Sequence, residues 1–198
     1  MSALLWVLGA VVMAMGTLLA LVTSGAMAGG KQAERAAAAT QGGVALVALG
    51  MAGSGRPGPA LEAFVVLVFA MALGTLVTTT LGPEQRESRW GRGLRCCVLL
   101  GSSGLPPLPG FWGRVALVVA GLRDGGGLGT AGALLGAVLV VPGVMGAARA
   151  VAEVYRTPGD ELGAPPLVSG ALLVLYLWSG LFPGAILALA AGLAGAVG

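Results

Sequence analysis

Histidine and asparagine are absent from this chain of 198 residues, and lysine and isoleucine each occur once. Without histidine there is no imidazole to ligate a metal or to carry a proton near neutral pH. The two cysteines, Cys96 and Cys97, are adjacent in sequence. That spacing suits neither a disulfide nor a metal site, so they read as small apolar filler. Charge is the largest shortage: Asp, Glu, Lys and Arg make up 10% of the chain. Soluble domains carry about 25%, so a soluble fold is excluded. Period-2 alternation is also missing, which argues against the strands of a membrane barrel. No phosphate-binding loop, dinucleotide fingerprint or metal-ligand spacing occurs, and nothing points to nucleic acid.

What is present is apolar. Uncharged stretches cover 1–30, 36–55, 63–83, 96–113, 125–148 and 162–198, and 57% of all residues are hydrophobic. A helix needs roughly 17–25 apolar residues to cross a bilayer. The backbone in lipid must satisfy its own polar groups, which a helix does. The expected fold is therefore all-α, a polytopic bundle of about six transmembrane helices. They fall at roughly 3–27, 36–50, 60–81, 96–122, 128–155 and 166–182. Ala26-Met27-Ala28 imitates a signal cleavage site, but no basic residue precedes the first apolar run. That run reads as a retained span.

The basic residues are unevenly distributed. If the helices alternate in direction, Lys31, Arg35, Arg86, Arg89, Arg92, Arg95, Arg149 and Arg156 share one side, against Arg56 and Arg123 on the other. This bias predicts that the basic turns face the cytoplasm or matrix, with both termini opposite. The most charged segment, 82–95, mixes signs and reads as a solvated loop with Trp90 at the interface.

One segment breaks the apolar pattern in a different way. GSSGLPPLPGFWGR, residues 101–114, sets three prolines and four glycines ahead of an arginine. Pro106 and Pro107 lack amide protons and clash with the preceding turn, at about 3 kcal/mol each in a continuous helix. Gly101, Gly104, Gly110 and Gly113 permit unwound backbone and close helix approach. Arg114 follows within one or two turns and should face a polar interior, since a charge in lipid is costly. A discontinuous helix near Pro106-Pro107 with a charge beside it suits an ion or proton pathway. A packing kink with a snorkelling arginine explains the same residues.

GLPPLPGFWGR resembles the S-L-A-G-[IL]-P-P-x-x-G-F-x-G-K motif of the antiporter-like subunits of respiratory complex I. Gly104, Pro106, Pro107, Gly110, Phe111 and Gly113 match it. KQAERAAAATQGGVALVALG (31–50), FAMALGTLVTTTL (69–81) and LWSGLFPGAILALA (177–190) are similar to further family segments in the same order. The nearest variety is subunit N, or NADH dehydrogenase subunit 2, and only its C-terminal half is covered. The resemblance implies a five-helix antiporter-like repeat over 1–155, then a loop and final transmembrane helix with an apolar tail over 156–198. It also implies a membrane-arm subunit of an NADH:quinone oxidoreductase that translocates protons. The proton-pathway candidates it implies are Arg114, Lys31 and Glu34, with the helix break at Gly104, Pro106, Pro107, Gly110 and Gly113.

No residue is expected to bind a cofactor or metal; NADH, FMN, iron–sulfur clusters and quinone would be held elsewhere in the complex. Partners would be the other membrane-arm subunits, a separately encoded N-terminal half, and lipids. The reading leans to a mitochondrial inner membrane over a bacterial plasma membrane. Two departures matter. Arg114 stands where the family has lysine, and arginine does not release its proton in proteins. The stretch before the break is also short, so the first half of the broken helix is expected to be truncated or to begin within 82–95. A structural subunit that has lost proton transfer, and a subunit of a related cation/proton antiporter or membrane-bound hydrogenase, share these features.

Overall fold

The computed structural model describes residues 3–26, 33–53, 57–156 and 167–197. Every regular element among them is a helix: α1 (Ala3–Ala26), α2 (Ala33–Met51), α3 (Pro57–Thr79), α4 (Pro83–Glu87), α5 (Arg89–Ser102), α6 (Pro109–Asp124), α7 (Gly127–Val138), α8 (Val140–Arg156), α9 (Leu167–Leu181) and α10 (Gly184–Val197). The all-α membrane bundle expected from composition is what the chain forms. Among the described residues three spans are long and apolar enough to cross a bilayer unaided: Ala3–Gly25, Pro57–Thr79 and Gly127–Arg156. The pair α9 and α10, bent by 80°, makes a fourth when taken together. Among the remaining helices, Glu34, Arg35, Thr40 and Gln41 dilute the apolar character of α2. Helices α5 and α6 have 14 and 16 residues, about 21 and 24 Å at 1.5 Å per residue. Each falls short of the ~30 Å hydrocarbon core.

Helix α2 lies between α1 and α3, and its pairing with α1 is the most extensive in the bundle. That pairing runs along a seam of glycines. Gly9 faces Gly50 and Gly16 faces Gly43, so the helices are antiparallel with the two backbones touching. A Cβ on Gly16 would lie 2.7 Å from Leu46 Cβ and 2.9 Å from the amide nitrogen of Val47. Hydrophobic burial drives little helix association in lipid, where close van der Waals contact does the work. Small residues are therefore what this interface needs. The outer face of α1, including Leu4, Leu8, Met15, Leu18 and Val22, is exposed.

The segment 82–95, expected as a solvated loop, is helical instead. Helix α4 starts on Pro83 behind Gly82, whose amide donates to Gln85 Oε1 at 3.0 Å. Ser88 then caps α5, its Oγ accepting from the Gly91 amide at 3.1 Å. The arginines made this stretch look solvated, yet α5 is amphipathic. Leu94, Cys96, Val98 and Leu99 are buried while Arg89 and Trp90 are exposed. The first half of the broken helix thus begins inside the charged segment, at Arg89.

Two other interruptions appear. The span from Gly127 is broken at Leu139, three residues before Pro142, whose missing amide leaves the Val138 carbonyl without its helical donor. The apolar tail after Pro183 is α10, which folds back on α3 through Ile186, Ala190 and Val66.

The basic segments converge. Ala33, Ala36 and Ala37 of α2, Cys96 and Leu99 of α5, and Ala150 and Val154 of α8 form one apolar cluster. The start of α2, the middle of α5 and the end of α8 therefore meet toward one end of the bundle. Arg35, Arg86, Arg89, Arg92, Arg95, Arg149 and Arg156 lie on the segments that meet there. Arg123 closes α6 at the other end, where Leu128 approaches Gly9 and Gly132 packs on Met51.

Candidate functional site

Helix α5 stops at Ser102 and α6 starts at Pro109, so six residues of unwound chain join them, Ser103 and Gly104 buried and Pro106 and Pro107 exposed. The turn is tight. Ser103 donates its amide to Leu99 O at 3.3 Å and Gly104 donates to Gly101 O at 3.2 Å. Gly104 has φ +85°, a conformation that costs a side chain about 1–2 kcal/mol. Pro106 and Pro107 follow with no amide to donate, and Pro109 takes the first position of α6, where none is needed.

Arg114 lies in the second turn of α6 and bends back under this break. It is 3% exposed. Nη2 donates to the Ser102 carbonyl at 3.3 Å, and Nη1 is buried with no hydrogen-bond partner. A Cβ on Gly104 would sit 2.5 Å from Arg114 Nε, so the guanidinium stem fills the space that glycine leaves. No carboxylate pairs with Arg114 among the described residues. Its compensation comes from the carbonyl end of α5, the negative pole of that helix. The polar surroundings expected of this charge are a severed helix terminus rather than an acid.

The other glycines of the motif sit where helices touch. Gly110 packs on the backbone of Gly101, whose carbonyl an added Cβ would strike, with Gln41 Nε2 3.4 Å from that Cβ, and Gly113 packs on Leu67. Gln41 is 2% exposed and donates to the Leu67 carbonyl at 3.3 Å. On the other side Gly101 receives Tyr176 of α9, which is 1% exposed. Trp112 Nε1 donates to the Gly180 carbonyl at 2.6 Å. The start of α6 is thereby fastened to the end of α9, one residue from the bend into α10.

A cavity of about 450 Å³ runs from the basic end toward the break. Glu34, Arg86, Thr75 and Thr78 line it, and it reaches the buried Ser102 and Tyr176 beside the break. Ser102 separates it from Arg114, which binds the carbonyl of that same residue. Beyond Arg114 is a second cavity of about 350 Å³, walled almost wholly by carbon from Pro106, Phe111, Val115, Gly136 and Val140. The guanidinium thus sits between a polar space and an apolar one.

Glu34 is fully engaged. It accepts a hydrogen bond from Arg95 Nε, and Arg86 Nη1 lies 3.8 Å from its other oxygen. Arg86 also donates to the Thr78 and Leu81 carbonyls at 2.9 and 3.2 Å, closing the C-terminal end of α3. One carboxylate lining the polar cavity therefore ties the first turn of α2 to α3 and α5. Lys31, the third proton-pathway candidate, lies outside the described residues. The structure brings Gln41, Ser102 and Tyr176 to the break, none of which was singled out as a site residue. No group of acids and cysteines able to hold a metal occurs among the described residues.

Comparison with known proteins leaves the geometry to stand by itself. No family model matches the chain, and no curated protein is a significant match.

Proposed function

We propose that this chain is the C-terminal half of an antiporter-like membrane-arm subunit of an NADH:quinone oxidoreductase, working beside a separately encoded N-terminal half. The observation that carries the reading is a severed helix holding a buried cation, approached from the basic end by a polar cavity. Discontinuous helices at the centre of a bundle are where transporters contact ions, because freed backbone groups are tolerated only inside protein or beside water. In this reading the basic end faces the matrix or cytoplasm, following the distribution of arginines, and the membrane is the inner mitochondrial or bacterial one. Arginine keeps its charge. Arg114 would thus hold a fixed field over water in the polar cavity, while protons are carried by water and by groups of partner chains.

A second reading is favoured by one observation. Arg114 has no titratable partner among the described residues, as expected of a subunit that keeps the architecture and has lost proton transfer. Two measurements decide. Mass spectrometry of the purified assembly should find complex I core subunits and a matching N-terminal half; finding neither would overturn the assignment. Arg114→Lys and Arg114→Met should then alter proton pumping in an assembly of normal composition. Unchanged pumping in both would leave only the structural role.

A further inference from the structure

A third space lies away from the break, between the amphipathic start of α5 and the flank of α9. It measures about 370 Å³ and is lined by Arg89, Trp90, Gly93, Leu94, Cys97 and Leu173. We infer that this groove binds one anionic phospholipid, its phosphate on Arg89 and an acyl chain along Leu94, Cys97 and Leu173.

The groove is graded along its length. Arg89 and Trp90 are exposed at its outer end, Trp90 at 44%, whereas Leu94 at its inner end is 1% exposed and packs with Tyr176 and Leu173. The outer end lies at the charged start of α5, beside the basic segment 82–95. The start of α9 is tied to the end of α3 by the Thr80–Ser169 hydroxyl pair at 3.0 Å. Tryptophan and arginine share a preference for the membrane interface, with an apolar body in the membrane and a polar tip at the headgroups.

Charge selects the class of lipid. Arg89 enters no ion pair among the described residues, although Glu84 and Glu87 of α4 lie nearby in the chain and are exposed. Arg86 and Arg95 are held by Glu34 away from the groove, so Arg89 is the arginine that lines it, and basic groups at this face recruit acidic headgroups. A zwitterionic choline or ethanolamine lipid offers Arg89 the same phosphate without net negative charge, so its attraction is weaker. Free phosphate would satisfy Arg89 and leave the carbon walls empty, so a ligand with an acyl chain fits the whole groove. This inference needs only the membrane bundle and stands whichever assembly the chain joins.

Cys97 lines the groove while Cys96 is buried, which supplies the test. In the full chain carrying Cys96→Ala, purified in detergent, Cys97 is labelled with an apolar maleimide in the presence of phosphatidylglycerol, phosphatidylcholine or inorganic phosphate. Phosphatidylglycerol should slow the labelling, and the lipid concentration for half-protection should rise about fivefold in Arg89→Gln. Arg89→Lys should retain protection, which separates loss of charge from misfolding. Equal protection by phosphatidylcholine, protection by phosphate alone, or undiminished protection in Arg89→Gln would each overturn the inference.

Discussion

Replacing Arg114 with methionine asks whether the charge at the break is held against the stability of the fold. Two terms oppose the arginine. An ionised guanidinium at the centre of a membrane helix is unfavourable by about 2.5–3.5 kcal/mol. A buried donor without an acceptor, here Nη1, adds about 1–3 kcal/mol. Two terms favour it. The hydrogen bond to Ser102 is long at 3.3 Å, which puts it near the lower end for a charged donor, about 1.5 kcal/mol. The carbonyl end of α5 contributes up to about 2 kcal/mol in a buried setting. The balance is unfavourable by about 0–3 kcal/mol, centred on ~1.5 kcal/mol, within the range seen when buried charges are exchanged for apolar groups. Methionine keeps much of the volume and adapts to an irregular space. Arg114→Met should therefore raise the midpoint of thermal unfolding by about 3–6 °C for a chain of this size, at the central value of ~1.5 kcal/mol. The measurement is thermal unfolding in detergent supplemented with lipid, with Arg114→Ala alongside to report the effect of a cavity. A fall in the midpoint for Arg114→Met would refute the reasoning and make the arginine a structural strut.

Gly16→Leu should lower stability by about 1–3 kcal/mol or more, because the new side chain would drive into Leu46 and Val47. Gly25→Leu, on the same helix with nothing within 4 Å, serves as the control in the same unfolding assay. Glu34→Gln should cost about 1–2 kcal/mol, mostly through Arg95, since the Arg86 pair is partly exposed and screened. Unfolding at low and high salt would check this. Salt should weaken only the smaller, Arg86 share, and an unshifted midpoint in the variant would remove the clamp from consideration.

The break was legible because proline and glycine act locally: a missing amide and a positive φ are properties of single residues, readable wherever they stand. Helices α4 and α5 were not, because three arginines within seven residues outweighed a period that places Leu94, Val98 and Leu99 on one face. The cap at Ser88 was the available signal. Tyr176 had no local signal at all. Its role depends on Gly101, far away in sequence, and only the folded chain sets them side by side. The counter-charge of Arg114 was hidden for a similar reason. An inspection of acids finds no partner, whereas the partner is backbone, the same in every residue and visible only once a helix is known to end there.

The glycine seam between α1 and α2 has a genetic consequence. Every single-base missense change in a glycine codon adds at least a Cβ, and at Gly9, Gly16, Gly43 and Gly50 there is no space to receive it. The lipid-facing side of α1 can exchange leucine for valine or methionine with little structural effect. One helix thus carries two very different tolerances to mutation a few ångströms apart. Sequence drift should accumulate on the outer face of α1 and spare Gly9 and Gly16 within it, together with Gly43 and Gly50 facing them on α2.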